Sequence, residues 1–289
     1  MNNKFPTHRE DRIQTATVDG VMGGEFTTAS GTIVKFYEHS FRNPAGALVE
    51  GEVTLEVIEI YRRKDMLFTG RPTNGKRYDG SLSTLISGGQ FYVNARKGDT
   101  ELTLAKGYAI IVPVSLSGGE DTDMKMFNGI KVCEGDVCNL AWEEADRGLE
   151  IGKWQTAGGV FTAYYAIQSK FGWTNIDKWY NDPRPKTTLY VDLPDGYDNT
   201  NCAVYLSYDG EARALAQFDR FDETTQLFTE HYGLIPIGLE VHFIVVSVVE
   251  DQWHYAIAAS TIGEGHVQLI EELTATTEEE LENMIEELP

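Results

Sequence analysis

A short stretch of the chain carries the residues best suited to contact a ligand. Trp173, Trp179 and Tyr180 lie close together in the sequence, and Asp177 lies between them. Indole and phenol rings can stack on a sugar ring or a peptide, and a neighbouring carboxylate can accept hydrogen bonds. The same aromatic side chains would also suit packing between two domains, because they bury a large apolar area. Packing is the simpler interpretation, and a ligand-binding surface is the alternative.

A second stretch is rich in the oxygen ligands that calcium prefers. Asp195, Asp198, Asn199 and Asn201 are concentrated in one predicted turn. A calcium loop of the EF-hand type closes with a bidentate glutamate at its twelfth position, which is missing here. Turns rich in Asp and Asn also form without metal, because these side chains bond to their own backbone. Calcium is thus the one cofactor with any signal in the sequence, and otherwise none is expected.

Two of the three cysteines are placed to form a disulfide. Cys133 and Cys138 flank residues 134–137, which have the composition of a hairpin tip. Cysteines facing each other across such a tip can pair, which would leave Cys202 unpaired. Pairing cannot be derived from spacing alone, so three inert thiols in a reducing compartment are equally compatible with the sequence.

The motifs that would indicate catalysis are incomplete. Residues 70–77 approach a phosphate-binding loop, but Arg77 stands where a Ser or Thr should reach magnesium, and no helix is predicted to follow. His242 and His254 share a predicted hairpin in which His254 faces Val248, so the two histidines lie roughly 20 Å apart along the strand. The other histidines lack the spacing of metal ligands. No catalytic residue is assigned, and the sequence predicts a protein that is not an enzyme.

Periodic apolar residues predict strands through most of the chain. Val53, Leu55 and Val57 alternate with polar residues, as in a half-buried strand. The alternation slips between Val57 and Ile58, which suggests a bulge or a twist. Other strand-like runs are separated by glycine-rich turns at the spacing of a β-sandwich. No helix of any length is expected in the first half.

One helix is predicted at the C-terminus. Thr277 and Glu280 have the spacing of a capping box. The apolar residues that follow recur at helical spacing, at Leu281, Met284, Ile285 and Leu288. The sequence therefore predicts an all-β protein with two β-sandwich-like domains in tandem and a C-terminal α-helix. We expect a flexible arm over residues 1–14, a first sandwich over 15–170, a junction acting as a hinge over 171–186, and a second β domain over 187–289, with the helix packed across its sheet.

Charge and composition restrict the partners. The chain has 45 acidic and 24 basic residues and a formal net charge of -21, which would repel a nucleic-acid backbone. A hydrophobic content of 42% is enough for a folded core. No apolar run approaches the roughly 20 residues that a membrane-spanning helix needs. The first residues lack the apolar core of a signal peptide, so either the protein is cytoplasmic or a targeting segment is absent from this sequence.

Several segments resemble a group of uncharacterised, exported bacterial surface proteins, many of them lipid-anchored. The segments that carry the resemblance are residues 30–32, 51–61, 65–67, 70–73, 87–93, 171–177, 234–238 and 288–289. The first half is also similar to ZU5 modules, β-sandwich domains that bind other proteins. Some ZU5 relatives cleave themselves at a His-Phe-Ser site, but His39 here directly precedes Ser40, so this activity does not carry over. The resemblance implies export, with a lipid anchor in the full-length precursor, and a non-enzymatic role.

We therefore expect a non-catalytic binding or adhesion module at the cell surface or in the periplasm, with a protein or a polysaccharide as its partner. Two alternatives remain. An exported hydrolase could act on a glycan through a pair of carboxylates, which would require a cleft with two facing acids, one of raised pKa. A structural component of an outer assembly would instead show extensive contacts between chains. Nothing in the sequence indicates the oligomeric state.

Overall fold

The protein is described by a computed structural model that covers residues 4–134 and 137–289. The elements of the first half are α1 (Lys4–Glu10), β1 (Gln14–Asp19), β2 (Gly24–Thr27), β3 (Ile33–Phe36), β4 (Phe41–Arg42), β5 (Glu52–Ile60), α2 (Arg63–Thr69), β6 (Asn74–Lys76), β7 (Leu82–Lys97), β8 (Thr100–Glu101), β9 (Thr103–Leu104), β10 (Tyr108–Pro113), a 3-10 turn (Val114–Ser117), β11 (Lys125–Glu134), β12 (Val137–Glu144), β13 (Glu150–Thr156), β14 (Gly159–Gln168) and β15 (Gly172–Trp179).

The second half adds further strands and a terminal helix. They are β16 (Lys186–Asp192), β17 (Cys202–Tyr208), β18 (Leu215–Gln217), β19 (Arg220–Asp222), β20 (Leu227–Pro236), β21 (Glu240–Val249), β22 (Gln252–Thr261), β23 (Val267–Leu269), β24 (Thr274–Thr276) and α3 (Glu278–Glu286). The predicted all-β class with a C-terminal helix is confirmed.

The strands form two pairs of sheets. Sheet A has eight strands, in the order β1-β5-β7-β15-β11-β12-β6 with β8 attached to β7, and sheet B has the order β13-β14-β10-β3-β2. In the second half, sheet C has the order β19-β20-β16-β23 and sheet D the order β18-β17-β21-β22-β24. Strands β4 and β9 form a separate small ribbon. No described sheet mixes strands from before residue 180 with strands from after residue 185.

The apolar alternation of β5 shows how the layers stack. Val53, Leu55 and Val57 belong to the core between sheets A and B. Ile58 and Ile60 point to the other face of sheet A and belong to a different core, shared with the second half. The pairing of β5 with β7 is regular through this region. The bulge suggested at Val57 and Ile58 is therefore wrong: the alternation slips because this end of the strand is buried on both faces.

A shared core joins the two halves. It combines Ile58 and Ile60 of β5 and the apolar face of α2 with Tyr205 of β17, Ile244 of β21 and Trp253 of β22. Leu281 of α3 is also buried in it. The layers therefore run from sheet B to sheet A, then to the three helices and sheet D, and finally to sheet C. Because burial of apolar area is the main stabilising contribution in folding, this core couples the halves energetically.

Most of the expected junction is not a hinge. Gly172–Trp179 is strand β15, which pairs with β7 on one side and with β11 on the other, inside sheet A. The segment that passes between the halves is residues 180–185, and its first residue is held by a hydrogen bond from the Tyr180 N–H to the Thr84 carbonyl at 3.0 Å. The aromatic residues that suggested a junction, Trp173 and Trp179, lie in β15 and pack there because this strand is covered on both faces.

The N-terminal arm is helical where the structure describes it, and residues 1–3 lie outside the described part. Helix α1 buries His8 against Phe68 of α2, with ring centroids 5.3 Å apart, and its Phe5 packs against the shared core. Helix α2 itself contradicts the expectation of a first half without helices. It ends at Gly70 in a left-handed conformation, the usual stop signal for a helix.

Two C-terminal features test the sequence patterns. The capping box is present, with the Thr277 side chain accepting from the Glu280 N–H and the Glu280 side chain accepting from the Thr277 N–H, and α3 packs on Trp253 of sheet D and also against α2. The hairpin of β21 and β22 turns through Glu250 and Asp251 alone, both with positive φ, as the right-handed twist of a two-residue hairpin requires. No described helix has the length and apolar character needed to cross a bilayer.

Candidate functional site

Trp173, the first residue of the predicted aromatic surface, is a packing residue on the face of sheet A that meets the second half. Its ring is half-buried and lies 5.4 Å from Tyr92 and 6.5 Å from Trp142, centroid to centroid. The Arg71 guanidinium lies over it at 4.6 Å. This cation–π contact covers the ring face that a ligand would need.

Trp179 and Tyr180 have partners of their own. Arg77 lies over the Trp179 ring at 4.6 Å, and the Trp179 Nε1 donates to Glu144 at 3.3 Å. Tyr180 packs edge-on against Tyr208 in the second half, with centroids 4.8 Å apart. Trp173 and Trp179 are six residues apart on one strand, hence roughly 20 Å apart. The structure does not bring the predicted residues together on one open surface.

Asp177 lies between these aromatic residues but is fully buried. Its Oδ2 accepts a hydrogen bond from Asn175, while its Oδ1 has no partner among the described atoms. Burial raises the pKa of Asp177 well above its ordinary range, although the Ser87 hydroxyl, the Gly88 N–H and Arg213 oppose the shift. The Asp177 carboxyl is therefore part of the protein interior and cannot contact a polymer ligand.

The oxygen-rich turn satisfies its own polar groups. The Asp198 carboxylate accepts from the Thr200 N–H at 2.8 Å and from its hydroxyl at 2.6 Å, and these bonds lower the pKa of Asp198. The Asn201 amide donates to the Gly196 carbonyl at 2.7 Å. Asp195 and Asn199 are exposed in the same turn. Among residues 4–134 and 137–289, no three His, Cys, Asp or Glu side chains are grouped to hold a metal, and calcium stays a prediction.

The cysteines adopt the paired arrangement. Cys133 and Cys138 face each other on β11 and β12 and form a disulfide. Gly135 and Asp136 of the predicted tip lie outside the described residues. Cys202 is unpaired and buried, and burial raises the pKa of its thiol. Since the ionised form is the reactive one, Cys202 is an inert core residue.

The histidines are each engaged separately. His242 Nδ1 lies 2.7 Å from Asp209, and His231 Nδ1 lies 3.0 Å from Asp219. His254 pairs with Ser247, one residue away from the predicted Val248, because the turn is one residue shorter than expected. The conclusion that His242 and His254 lie far apart on the hairpin is unaffected.

An aromatic face that the sequence interpretation missed lies on the outside of sheet B. We define it by Tyr37, Trp154, Phe161 and Tyr165. Trp154 and Tyr165 stack with ring planes 21° apart and centroids 6.0 Å apart, and Phe161 is the cross-strand neighbour of Trp154. The Tyr37 and Tyr165 hydroxyls are 3.1 Å apart. Burial and the Tyr37 hydroxyl raise the pKa of Tyr165 to about 12, so the Tyr165 phenol stays neutral at physiological pH.

The aromatic face is mainly apolar and open to solvent, with Lys35 opposite Ala109 and Glu150 opposite Tyr165 at its margin. Beneath its rings lie small and branched residues that are at most 4% exposed, namely Ile33, Ala109, Ile111 and Ala163. All described members of this cluster belong to sheet B, so the second half does not cover it. Val160 and Ile167 at its margin are 63% and 39% exposed. An open antiparallel sheet face normally carries polar side chains, so an apolar one marks a contact surface.

A recess between the two halves is lined by Glu230, an acid whose pKa is raised. It consists of two small adjoining hollows of about 20 and 30 Å³ that share Asn74, Leu82, Gln217, Asp219 and Tyr232. The first hollow is also lined by Glu230, and Cys133 of the disulfide lines the second. Leu189 pairs with Glu230 and Thr187 with Ile235, so residues 231–234 bulge out of β20.

The bulge holds one oxygen of the Glu230 carboxyl, while burial raises the pKa of the group. Its Oε2 accepts from the Gly233 N–H at 3.1 Å, while its Oε1 is buried without a partner. Burial and the nearby Asp219 raise the pKa of Glu230 to about 7, against the effect of the backbone N–H groups of residues 232–234. A carboxyl group with a raised pKa beside a second carboxyl group is the arrangement that the hydrolase alternative requires.

The sequence contains a signal for the aromatic face. In β14 the odd positions Phe161, Ala163 and Tyr165 are apolar while Tyr164 and Ala166 between them are apolar too. A strand that is apolar on both faces indicates that the outer face of its sheet is apolar as well. Glu230 carries no comparable signal, because its burial depends on a bulge and on the other half of the molecule.

Comparisons with known proteins give no assignment. No family model matches the sequence, and no curated protein matches it. A solved structure of gamma-CGTase from alkalophilic Bacillus clarkii is similar at 7% sequence identity and a TM-score of 0.18, over 88% of this chain and 40% of that one. The chain thus spans less than half the length of that protein, and a likeness of this size carries no argument.

Proposed function

We propose that the protein is a non-catalytic binding module that uses its aromatic face to hold a neutral polysaccharide. The observation that supports this is the stacked pair of Trp154 and Tyr165 on an uncovered apolar sheet face. The Trp154 and Tyr165 rings provide exposed apolar area against which the C–H face of a sugar ring can pack. Hydroxyls of Tyr37 and Tyr165 at its edge can exchange hydrogen bonds with those of the sugar.

Charge favours a neutral polymer. The net charge of -21 disfavours an anionic polysaccharide, because the protein field repels it at long range. The cation nearest the rings is Lys35, which lies over Trp154 at 5.9 Å and also pairs with Glu25 at 3.5 Å. A flat, mostly uncharged surface beside few cations suits hydroxyl-rich, uncharged chains.

The location follows the same proposal. We place the protein outside the cytoplasm, at the cell surface or in the periplasm, because a disulfide between Cys133 and Cys138 persists in an oxidising compartment. The resemblance to exported surface proteins supports the same placement. Polysaccharides on or around the cell are then the accessible ligands.

Binding to a panel of neutral polysaccharides tests the proposal. Native affinity gels containing α-glucan, β-glucan, mannan or xylan should retard the wild type in at least one case. Trp154→Ala should abolish the retardation, since losing about 1.4 kcal/mol weakens binding tenfold. Tyr78→Ala is the matched control, because Tyr78 is a fully exposed aromatic residue outside the face.

Two results would remove the proposal. One is equal retardation of the Trp154→Ala variant and the wild type, with thermal unfolding showing that both are folded. The other is a stable homodimer in light scattering that Trp154→Ala dissociates, since the aromatic face would then be a contact between copies of the chain.

A further inference from the structure

We propose that the free edge of sheet C, strand β23, binds an extended segment of another protein that has apolar residues at alternate positions and basic residues at its ends. This surface is separate from the aromatic face and does not depend on the proposed polysaccharide binding. Strand β23 spans Val267–Leu269 and pairs in parallel with β16. No strand among residues 4–134 and 137–289 pairs with its other side.

The hydrogen-bond register shows which backbone groups of β23 point outward. The His266 carbonyl accepts from the Tyr190 N–H of β16 at 2.9 Å, and the Ile270 N–H donates to a β16 carbonyl at 2.9 Å. Along a strand, residues whose backbone groups bond to one neighbour alternate with residues whose backbone groups point away from it. The N–H and C=O groups of Val267 and Leu269 therefore point away from β16, toward the open side of the sheet.

Three of these four outward groups are unpaired in the described part of the chain. The Leu269 carbonyl accepts from the Gln268 Nε2 at 3.0 Å. The Leu269 N–H and both backbone groups of Val267 receive no partner from the described residues. An extended peptide adds a strand to a sheet by bonding to such groups.

The side chains of β23 provide the apolar part of the surface. Val267 and Leu269 are 56% and 57% exposed. They pair with Tyr190 and Asp192 of β16, on the face of sheet C opposite to the core residue Val191. Two aliphatic side chains on one face can contact the alternate side chains of an added strand.

Strand β23 also lacks the protection that other edge strands have. Strands β1, β2, β13 and β19 lie at sheet edges, and each contains at least one charged residue. Charges on an edge strand discourage pairing with another chain. Strand β23 contains none and exposes two aliphatic side chains instead, so its edge is suited to pairing.

The charge around β23 favours a basic partner. Three exposed glutamates lie next to it in the sequence, namely Glu264, Glu271 and Glu272. Residues 263–273 include no lysine or arginine, and β16 adds one charge of each sign at its ends, Lys186 and Asp192. A second copy of this chain would bring the same glutamates and a net charge of -21, so like charges oppose pairing of two β23 strands.

A fluorescein-labelled peptide, Lys-Thr-Val-Thr-Val-Thr-Lys with blocked ends, is a suitable probe. Its fluorescence anisotropy should rise on titration with the protein, and added salt should weaken the binding by screening the charges. The peptide with glutamates in place of its lysines should bind more weakly. A peptide N-methylated at both valines should lose binding, because it lacks two of the N–H groups of the added strand.

Leu269→Pro tests the backbone pairing from the side of the protein. Proline removes the outward N–H of residue 269 and leaves the bonds of β23 to β16 in place, and edge strands tolerate proline where the N–H faces solvent. This variant should weaken peptide binding by roughly tenfold. Leu269→Ala keeps the N–H and should lose less. Leu48→Ala removes an exposed aliphatic side chain outside sheet C and should bind like the wild type.

Four outcomes would overturn the proposal. They are no binding of the basic peptide, equal affinity for the N-methylated peptide, a preference for the acidic peptide, and equal affinity in the wild type and Leu269→Pro with thermal unfolding showing both folded. A homodimer in light scattering that Leu269→Pro dissociates would also overturn it, since β23 would then pair with a second copy. The polysaccharide retardation of the wild type and Trp154→Ala is read independently of all of these.

Discussion

Trp154 and Tyr165 lie on neighbouring strands of sheet B with their rings stacked 6.0 Å apart, on the side of the sheet that none of the described sheets covers. The opposite face of the same strand β14 buries Tyr164 and Ala166 in the core between sheets A and B. Sheet B is therefore apolar on both faces, but only one of these faces packs against another sheet. The uncovered face is the main reason to regard the protein as a binding module.

Asn74 joins the two halves through side-chain hydrogen bonds to the backbone of Gln217. Its Oδ1 accepts from the Gln217 N–H at 2.8 Å, and its Nδ2 donates to the Gln217 carbonyl at 2.9 Å. Asn74→Ala should lower the free energy of unfolding by roughly 2–3 kcal/mol, because two partly buried backbone groups lose their partners. Urea denaturation measures this, with Asn199→Ala in an exposed turn as control. Equal losses in the two variants would contradict the role of Asn74.

Leu281 should couple the C-terminal helix to both halves. Its side chain is fully buried in the shared core with Trp253 and Phe68. Leu281→Ala should cost about 2–5 kcal/mol, and calorimetry should still show one transition because both halves lose the same support. Leu269→Ala, at a position 57% exposed, is the control. Two separate transitions in the wild type would show that the halves fold independently.

Asp177 should make stability fall as pH rises. Its pKa is raised in the folded protein, so the native state keeps a proton that the unfolded chain loses above pH of about 4. The stabilisation is complete below the ordinary pKa of 3.8 and is lost as pH rises toward the folded pKa. Asp177→Asn should therefore be more stable than the wild type at pH 8, by roughly 1–3 kcal/mol, with the difference shrinking at pH 4.

Thermal unfolding across this pH range, monitored by circular dichroism, checks the sign. Asp195→Asn is the matched control in an exposed turn, and it should follow the wild type at every pH. A gain in stability for Asp177→Asn that is larger at pH 4 than at pH 8 would contradict the protonated state of Asp177.

The disulfide should stabilise the β11–β12 hairpin. Cys133 and Cys138 close a short loop with a sequence separation of 5, and loop-closure entropy predicts about 2 kcal/mol for such a loop. Reduction should lower the melting temperature by a few degrees and leave the rest of the fold intact. The double variant Cys133→Ala, Cys138→Ala should melt like the reduced protein, and its own melting should be insensitive to reductant. A wild type unaffected by reductant would show that the pair does not contribute.

The strand content could be predicted because alternation is a local property. Val53, Leu55 and Val57 are buried as their spacing indicates, and Thr277 and Glu280 cap the last helix. Helix α2 was missed because its seven residues stand between two strands and carry little periodicity of their own. It is stabilised by packing between sheet A and the second half, which no local pattern records.

The candidate sites depended on long-range packing and were harder to predict. Trp173 and Trp179 suggested a ligand surface, but Arg71 and Arg77, which flank β6, lie over their rings. The pKa of Glu230 is raised by burial and by the nearby Asp219, and neither effect is visible in the sequence. Trp154 and Tyr165 were detectable in principle from the double-sided apolar pattern of β14.

The indole resonances of the tryptophans offer the most direct test of where the polysaccharide binds. The chain has five tryptophans, and replacing each by phenylalanine assigns its signal in a ¹⁵N-labelled sample. Titration with soluble oligosaccharides of the polymer that retards the protein should shift the Trp154 indole signal and leave those of Trp173 and Trp179 in place. A shift of Trp173 or Trp179 with Trp154 unmoved would contradict the aromatic face as the binding site.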